Sequence, residues 1–327
     1  MIAISIIIPV YNKEHYLVRC FDSIVNQIQG QEDLYEILVI DDGSTDDSAT
    51  IIDEYARKYP CFTVISQQNS GVSVARNVGI ERAKGEYVLF LDADDELIQG
   101  ALSKISSFLI QNGTIDLLET RRTKVGENGY IMVNKPSLKE KKSYSGIEAY
   151  RENYVKTNAG GGICRTDFLR HNNIFFPKGI VNAEDLIFMG LVSVFAESIV
   201  FLDISLYRIY TIKNSASTAD ETILALNHSN TVNYFCSVWG KIKCTDEQKG
   251  ILEYVMYQLL SNTIYHFVRS KELRYKDFRD KVHVQDILPI DTRYMHKMKT
   301  KSRLMNFSVV IFYCLAWIKN FVTSFCR

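Results

Sequence analysis

The stretch Gly85-Glu-Tyr-Val-Leu-Phe-Leu-Asp-Ala-Asp-Asp-Glu-Leu97 runs from an apolar, β-rich segment straight into three carboxylates, Asp92, Asp94 and Asp95. The unbroken apolar character of Tyr87 to Leu91 is that of a strand covered on both faces. Such strands belong to parallel sheets and present ligands at their carboxyl ends. Carboxylates gathered there repel one another unless a cation joins them, and hard oxygen ligands suit Mg²⁺ or Mn²⁺. One reading is a divalent ion holding a phosphate-bearing substrate. The other is an acidic turn, Asp92 to Glu96, that caps the helix after it.

Outward from this stretch, short apolar runs alternate with amphipathic ones. Ile4 to Val10, Glu36 to Ile40 and Phe62 to Ser66 read as further strands. Tyr16 to Gln27, Asp46 to Tyr59 and Ser73 to Lys84 carry apolar residues at helical spacing, as in Leu17, Phe21, Ile24 and Val25. Strand and helix taking turns predicts an α/β fold, a mostly parallel sheet with helices on both faces. Ser44 with Asp47 predicts a capping box opening the second helix. The pattern blurs over Arg121 to Gly162, which reads as loop and short hairpin. Ser198 to Leu202 and Leu206 to Tyr210 read as two added strands. Beyond Ala219 the periodicity turns helical: Glu221 to Val238, Asp246 to Arg269 and a shorter piece near Phe278. The expected division is a nucleotide-binding and catalytic domain over 1–218, a helical region over 219–292 and a tail over 293–327.

The 38 basic and 38 acidic residues of the 327-residue chain cancel, which gives no reason to expect a nucleic-acid partner. Seven cysteines without a CxxC pair point to free thiols in a reducing compartment. The opening Met1-Ile-Ala-Ile-Ser-Ile-Ile-Ile-Pro9 lacks the features of a signal peptide, so the expected location is cytoplasmic. No GxGxxG or GxxxxGK[ST] occurs, which argues against a nicotinamide enzyme or a P-loop NTPase. His171, His228, His266 and His283 have no metal-ligand spacing and read as structural or exposed.

Charge is unevenly placed. After Asp291 there is no acid, while Lys297, Lys299, Lys301 and Arg303 precede the apolar run Phe307 to Ile318. That run is shorter than the roughly 20 residues a spanning helix needs. A basic patch followed by an apolar helix suits a segment lying on an anionic membrane surface, with docking on protein as the alternative.

Four patches together resemble the family 2 inverting glycosyltransferases of the GT-A fold: Ser5-Ile-Ile-Ile-Pro-Val-Tyr-Asn12, Val39-Ile-Asp-Asp-Gly-Ser-Thr-Asp-Asp-Ser48, Asn69-Ser-Gly-Val-Ser-Val-Ala-Arg-Asn-Val-Gly79 and Leu91-Asp-Ala-Asp-Asp-Glu-Leu97. They cover the first hundred residues almost completely. The likeness continues more loosely through Ala183-Glu-Asp-Leu-Ile187 and Tyr207-Arg-Ile-Tyr210. It implies a nucleotide-sugar donor, most simply a UDP-sugar, a divalent metal and a saccharide acceptor.

The same resemblance distributes roles. Tyr11, with Pro9 fixing the backbone beside it, offers a ring for the base; Asp42 contacts the base and Asp41 supports it. Arg76 lies beside base and phosphates, balancing Asp42 or Asp92, and Asn69 and Gly71 shape its loop. Asp92 and Ala93 line the nucleotide site, Asp94 holds the metal, and Asp95 supports or caps. Asp185 is the general base for the acceptor hydroxyl, with Glu184 orienting it or binding the acceptor. Lys213 and Ser215 are candidates for phosphate contacts, although their loop departs from the commoner histidine- or arginine-containing versions. The tail adds the expectation of a lipid-linked acceptor at the inner face of the plasma membrane. Two other classes stand beside this reading. A nucleotidyltransferase should carry a glycine- and arginine-rich triphosphate loop, which Tyr11-Asn-Lys-Glu14 is not; a non-catalytic glycan-binding descendant should have lost its acids.

Overall fold

The computed structural model describes residues 2–126, 129–133, 137–152, 154–210, 219–290, 293 and 299–325. Backbone contacts divide the chain into two compact units. The first comprises Met1–Tyr154, Ala159–Gly179 and Phe195–Thr211; the second comprises Val155–Asn158, Ile180–Val194 and Ile212–Arg327.

In the first unit β1 (Ile4–Val10), β2 (Tyr35–Asp41), β3 (Phe62–Ser66) and β4 (Tyr87–Phe90) alternate with α1 (Glu14–Ile28), α2 (Ser48–Lys58) and α3 (Val72–Arg82). There follow β5 (Glu96–Leu97), α4 (Ala101–Asn112), β6 (Leu117–Gly126), β7 (Gly129–Val133), β8 (Ser143–Tyr144), α5 (Gly146–Arg151), β9 (Gly162–Arg165) and α6 (Thr166–His171). A helix α7 (Glu184–Phe195) belongs almost wholly to the second unit, and β10 (Ile199–Tyr210) returns to the first. The ten strands form one sheet in the order β3-β2-β1-β4-β9-β6-β10-β5, with β7 on β6 and β8 on β10. β1 pairs in parallel with β2 and β4, and β2 with β3. β9 enters antiparallel between β4 and β6.

The helical spacing of α1 has the expected result: Leu17, Phe21, Ile24 and Val25 are buried in the cluster that also holds Ile6, Ile8, Ile37 and Leu89. The turn into β4 is set by a buried polar knot. Ser5 Oγ donates to Glu36 Oε2 at 2.6 Å, and Lys84 N donates to the same oxygen at 2.8 Å. Gly85 N donates to Ser5 Oγ at 2.8 Å. A Cβ on Gly85 would lie 2.5 Å from the Ser5 nitrogen, so only glycine lets the chain pass.

Three expectations are corrected. Ser44 and Asp47 make no capping box: α2 begins at Ser48, its N-cap Asp47 makes no side-chain cap, and Asp46 Oδ1 instead accepts from Ser48 N at 3.0 Å. Ser44 N is held by Asp41, because the turn is stitched to the neighbouring strand end before a helix can start. The loop expected over Arg121 to Gly162 contains most of β6, a long strand inside the sheet, together with α5 and its capping box at Ser145 and Glu148. The two strands expected near Ser198 and Leu206 are one, β10, whose pairing with β6 shifts register at Ser205. That irregularity breaks the sequence pattern without breaking the strand.

The second unit is helical. α8 (Glu221–Trp239) starts at Asp220, which accepts from Thr222 N at 2.8 Å. α9 (Asp246–Arg269) opens with a Thr245–Gln248 capping box. α10 (Tyr275–Lys281), α11 (Lys299–Phe307) and α12 (Val309–Phe325) complete it, and Tyr313 of α12 packs on Tyr275 and Phe278 of α10. Among the described residues no helix is long and apolar enough to cross a membrane.

Candidate active site

Three strand ends of the first unit, those of β1, β2 and β4, converge on one polar surface because the strands are parallel neighbours. After β1, Asn12 takes a left-handed backbone with φ 51° and accepts through Oδ1 from Thr45 N at 2.8 Å. Lys13 N donates to Ser48 Oγ at 2.8 Å. These bonds tie the first strand's loop to the second's and leave Tyr11 46% exposed, its ring available to a flat partner.

After β2, Asp41 and Asp42 are both buried. Asp41 Oδ1 accepts from Ser44 N at 3.0 Å and closes the turn. Asp42 Oδ1 accepts from Gln67 Nε2 at 2.7 Å and Ser70 N at 2.8 Å, and its Oδ2 from Gly71 N at 2.8 Å. Asp42 therefore pins the loop carrying exposed Asn69 to the start of α3. Gly71 stands at the N-cap with φ 88°, a conformation that favours glycine. Three of the carboxylate's roughly four lone-pair sites are taken, which leaves one for a ligand donor.

α3 carries Arg76, whose side chain is almost fully buried beside the Phe176 ring. Its Nη2 donates to Asp92 Oδ1 at 2.9 Å, one of the two acids the sequence offered it. Beyond β4 the chain places Asp92, Asp94 and Asp95 so that one carboxylate oxygen from each lies within 4.8 Å of the others. The intervening Ala93 is buried. Asp94 Oδ2 receives Lys13 Nζ at 2.7 Å, and its carbonyl receives Arg19 Nη2 at 2.5 Å. Asp95 is buried and accepts from Tyr210 N at 3.1 Å. Burial, then the charge of Asp92, pushes its carboxyl up to about 8.

The acidic turn does not cap the next helix. α4 starts only at Ala101, behind Gly100, and makes no side-chain cap. The acids face one another instead. An all-oxygen donor set in which burial and then mutual repulsion raise a carboxyl fits a hard divalent cation.

Sequence reasoning missed Lys13 and Arg19, and gave Arg208 and Tyr210 of the Tyr207-Arg-Ile-Tyr210 patch no role. Arg19 lies over the Tyr210 ring at 3.8 Å, and Arg208 Nη1 meets Glu96 Oε1 at 2.5 Å. These cations come from α1 and β10, far from the acids in sequence. The only signal was a basic residue one position after the first strand's Tyr-Asn pair. Lys213 and Ser215 lie outside the described residues.

Glu184 and Asp185 form the first turn of α7 in the second unit, half-buried, directly after Asn182 and Ala183. Both of those residues have left-handed backbones, with φ 72° and 60°. Two consecutive such non-glycine residues mark a backbone held by its surroundings.

In sequence, the chain is 36% identical over 187 residues to a poly(ribitol-phosphate) beta-glucosyltransferase of Bacillus spizizenii, covering 57% of this chain and 28% of that protein. It is 30% identical over 215 residues to the putative glycosyltransferase EpsH of Bacillus subtilis, covering 63% of this chain and 60% of that one. The chain thus spans between 28% and 60% of the length of these relatives. In structure, it resembles residues 1–349 of TarS from S. aureus, solved in complex with UDP-GlcNAc, with TM-score 0.72 at 21% identity over 98% of this chain and 91% of that one. That likeness establishes the mixed α/β, mostly parallel GT-A fold with a helical C-terminal region. The profile of Glycosyl transferase family 2 matches residues 5–172, half of the chain, and includes all four loop motifs around the aspartates. The chain belongs to glycosyl transferase family 2.

Proposed function

We propose that this chain moves one sugar from a UDP-sugar to a hydroxyl of a saccharide acceptor, with inversion, in the synthesis of a cell-surface polysaccharide. The observation that carries the reading is the convergence of Asp92, Asp94 and Asp95 at the end of β4, beside Arg76. Relatives named as beta-glucosyl- and beta-N-acetylglucosaminyltransferases of poly(ribitol-phosphate) support the reaction class.

In this reading Tyr11 stacks on the base, with Pro9 setting its approach, and Asp42 uses its remaining lone pair on the base or ribose. Asn69 and Gly71 shape the loop, Asp92 and Ala93 face the ribose, and Arg76 balances phosphate charge. Asp94, with Asp95 and Asp92 beside it, would hold Mg²⁺ or Mn²⁺, which when bound neutralises the diphosphate as leaving group. Asp185 accepts the acceptor's hydroxyl proton as that oxygen bonds to the anomeric carbon; the carbon–oxygen bond to the diphosphate breaks, and its electron pair leaves with UDP. Glu184 orients Asp185. We assign residues 1–218 to this chemistry, 219–292 to the helical region and 293–327 to membrane association.

The test is a panel of nucleotide sugars scored for metal-dependent release of the nucleotide diphosphate and for thermal stabilisation. A UDP-sugar should register in both assays. Silence across the panel in the presence of Mn²⁺ and Mg²⁺ would remove the reading.

The tail supports a lipid-linked acceptor at the cytoplasmic side of a membrane. Phe307 is 81% exposed, and Leu315, Trp317 and Ile318 are each about half exposed, with Lys301, Arg303 and Lys319 nearby. Apolar anchors beside cations suit an anionic bilayer surface. The full chain should sediment with phosphatidylglycerol vesicles and be released by salt; indifference to vesicle charge would count against a lipid-linked acceptor.

A further inference from the structure

The second unit holds a cavity of about 340 Å³ whose wall includes Asn182, Ala183 and Leu186, the residues that flank Glu184 and Asp185 in the chain. Gln258, Asn262 and His266 of α9 line it at intervals of four residues, so they form one stripe along the helix. Leu224 and His228, also four apart, face it from α8. We propose that this cavity is a subsite for a neutral, hydroxyl-rich ligand, the saccharide unit of the acceptor adjoining its reacting hydroxyl. Naming that ligand as the acceptor rests on the function proposed above; the chemistry of the cavity stands on its own.

The lining offers hydrogen-bonding groups and no Asp, Glu, Lys or Arg side chain. Amides come from Asn182, Gln258 and Asn262, and a hydroxyl from Thr157. His228 is 8% exposed, and burial followed by the neighbouring His266 pushes it down to about 4, so its ring is neutral. Its Nδ1 is buried without a hydrogen-bond partner. An unsatisfied lone pair is less costly than an unsatisfied N–H, which assigns the proton to Nε2 and makes that atom the ring's donor. His266 Nδ1 is held by Glu221 Oε2 at 2.7 Å, and Arg269 Nε meets the same carboxylate at 2.5 Å. His266 and Arg269 are thus both committed to Glu221, and the lining holds no Lys or Arg for an anionic ligand. Leu186, Leu224 and Ala183 supply the apolar surface that the C–H faces of a sugar need.

A metal site is a poor alternative. The rings of His228 and His266 stack, with centroids 4.7 Å apart and planes tilted by 32°, so their lone pairs do not converge. Among the described residues the metal-ligating cluster found is the aspartate one. The wall is also fixed in place. Asn182 Oδ1 accepts from Asn227 Nδ2 at 2.9 Å, and the Asn182 carbonyl accepts from Thr231 Oγ1 at 2.9 Å. These bonds hold the left-handed pair that turns the chain from the cavity wall into Glu184 and Asp185.

The experiment is saturation-transfer NMR on the full chain with UDP present, using cellobiose, lactose, maltose and N,N′-diacetylchitobiose at millimolar concentration. At least one should receive saturation, inorganic phosphate should not displace it, and Asn262→Leu and His228→Phe should each cut the signal at least fivefold. Asn262 is exposed on α9, so its substitution tests the cavity even where His228→Phe unfolds the chain. No signal from any sugar, displacement by phosphate, or a signal unchanged in Asn262→Leu overturns the proposal. Thermal stabilisation by UDP separates the two readings: its absence in the unaltered chain, with the sugar signal intact, removes the donor assignment and leaves the cavity standing.

Discussion

The aspartate cradle of the first unit and the cavity of the second are both polar, yet they are built on opposite terms. The cradle gathers Asp92, Asp94 and Asp95 with Arg76, Lys13 and Arg19 at parallel strand ends, where backbone N–H groups and side chains of both signs meet. The cavity has no Asp, Glu, Lys or Arg in its lining and keeps His228 neutral between two helices. A site for a diphosphate must concentrate charge and offset its repulsion; a site for hydroxyls must avoid it, since a desolvated charge without a partner costs more than a neutral hydrogen bond returns. In the function proposed above, each unit would supply one half of that contrast: charge for the donor, neutral hydrogen bonds for the acceptor.

Substitutions in the chemistry should have the largest effects on this contrast. Asp94→Ala should cut transfer roughly a thousandfold and abolish stabilisation by Mn²⁺, while Asp185→Asn should cut turnover by about 10²–10⁴-fold and leave UDP-induced stabilisation intact. Equal loss of UDP binding in both variants would show that the two units do not share the work as described.

Next in size is an acid effect confined to the helical unit. His228 falls from an ordinary 6.5 to about 4 in the fold, so its stabilising contribution is present above pH 6.5 and is lost as pH drops through 4, in total about 3 kcal/mol. Melting followed between pH 7 and 4 should show that loss, and His228→Phe should flatten it. An unaltered acid slope in the variant would mean that burial does not hold this ring neutral.

A smaller effect tests the frame beneath the cradle. Gly85→Ala should destabilise by about 1–3 kcal/mol, read as a lower urea midpoint, because the new methyl meets the Ser5 backbone rather than a side chain that can yield. Its unaltered thermal shift with UDP would place Gly85 in the scaffold and outside the nucleotide contacts.

Much of the cradle was legible in the chain because its parts are local. Asp41 and Asp42 stand at the end of one apolar run and the Asp92–Asp95 acids at another, and a period-based reading finds both. The capping box at Ser44 failed because Asp41 and Asn12 claim that turn's donors first. β6 was unreadable as a strand because Arg121, Arg122 and Lys124 interrupt it; Arg121 is matched by Asp203 of the neighbouring β10, which supplies the missing half of the pattern. His228 and His266 looked inert, since residues 38 positions apart on two helices show no spacing until the helices pack.

The amino-acid order by itself settled the alternating strands and helices and which acids end which strand, since both follow from periodicity within a few residues. Only tertiary packing settled which cation meets which acid and where a neutral polar cavity forms. Those outcomes depend on surfaces brought together from distant segments, where desolvation and distance, rather than local preference, set the energy.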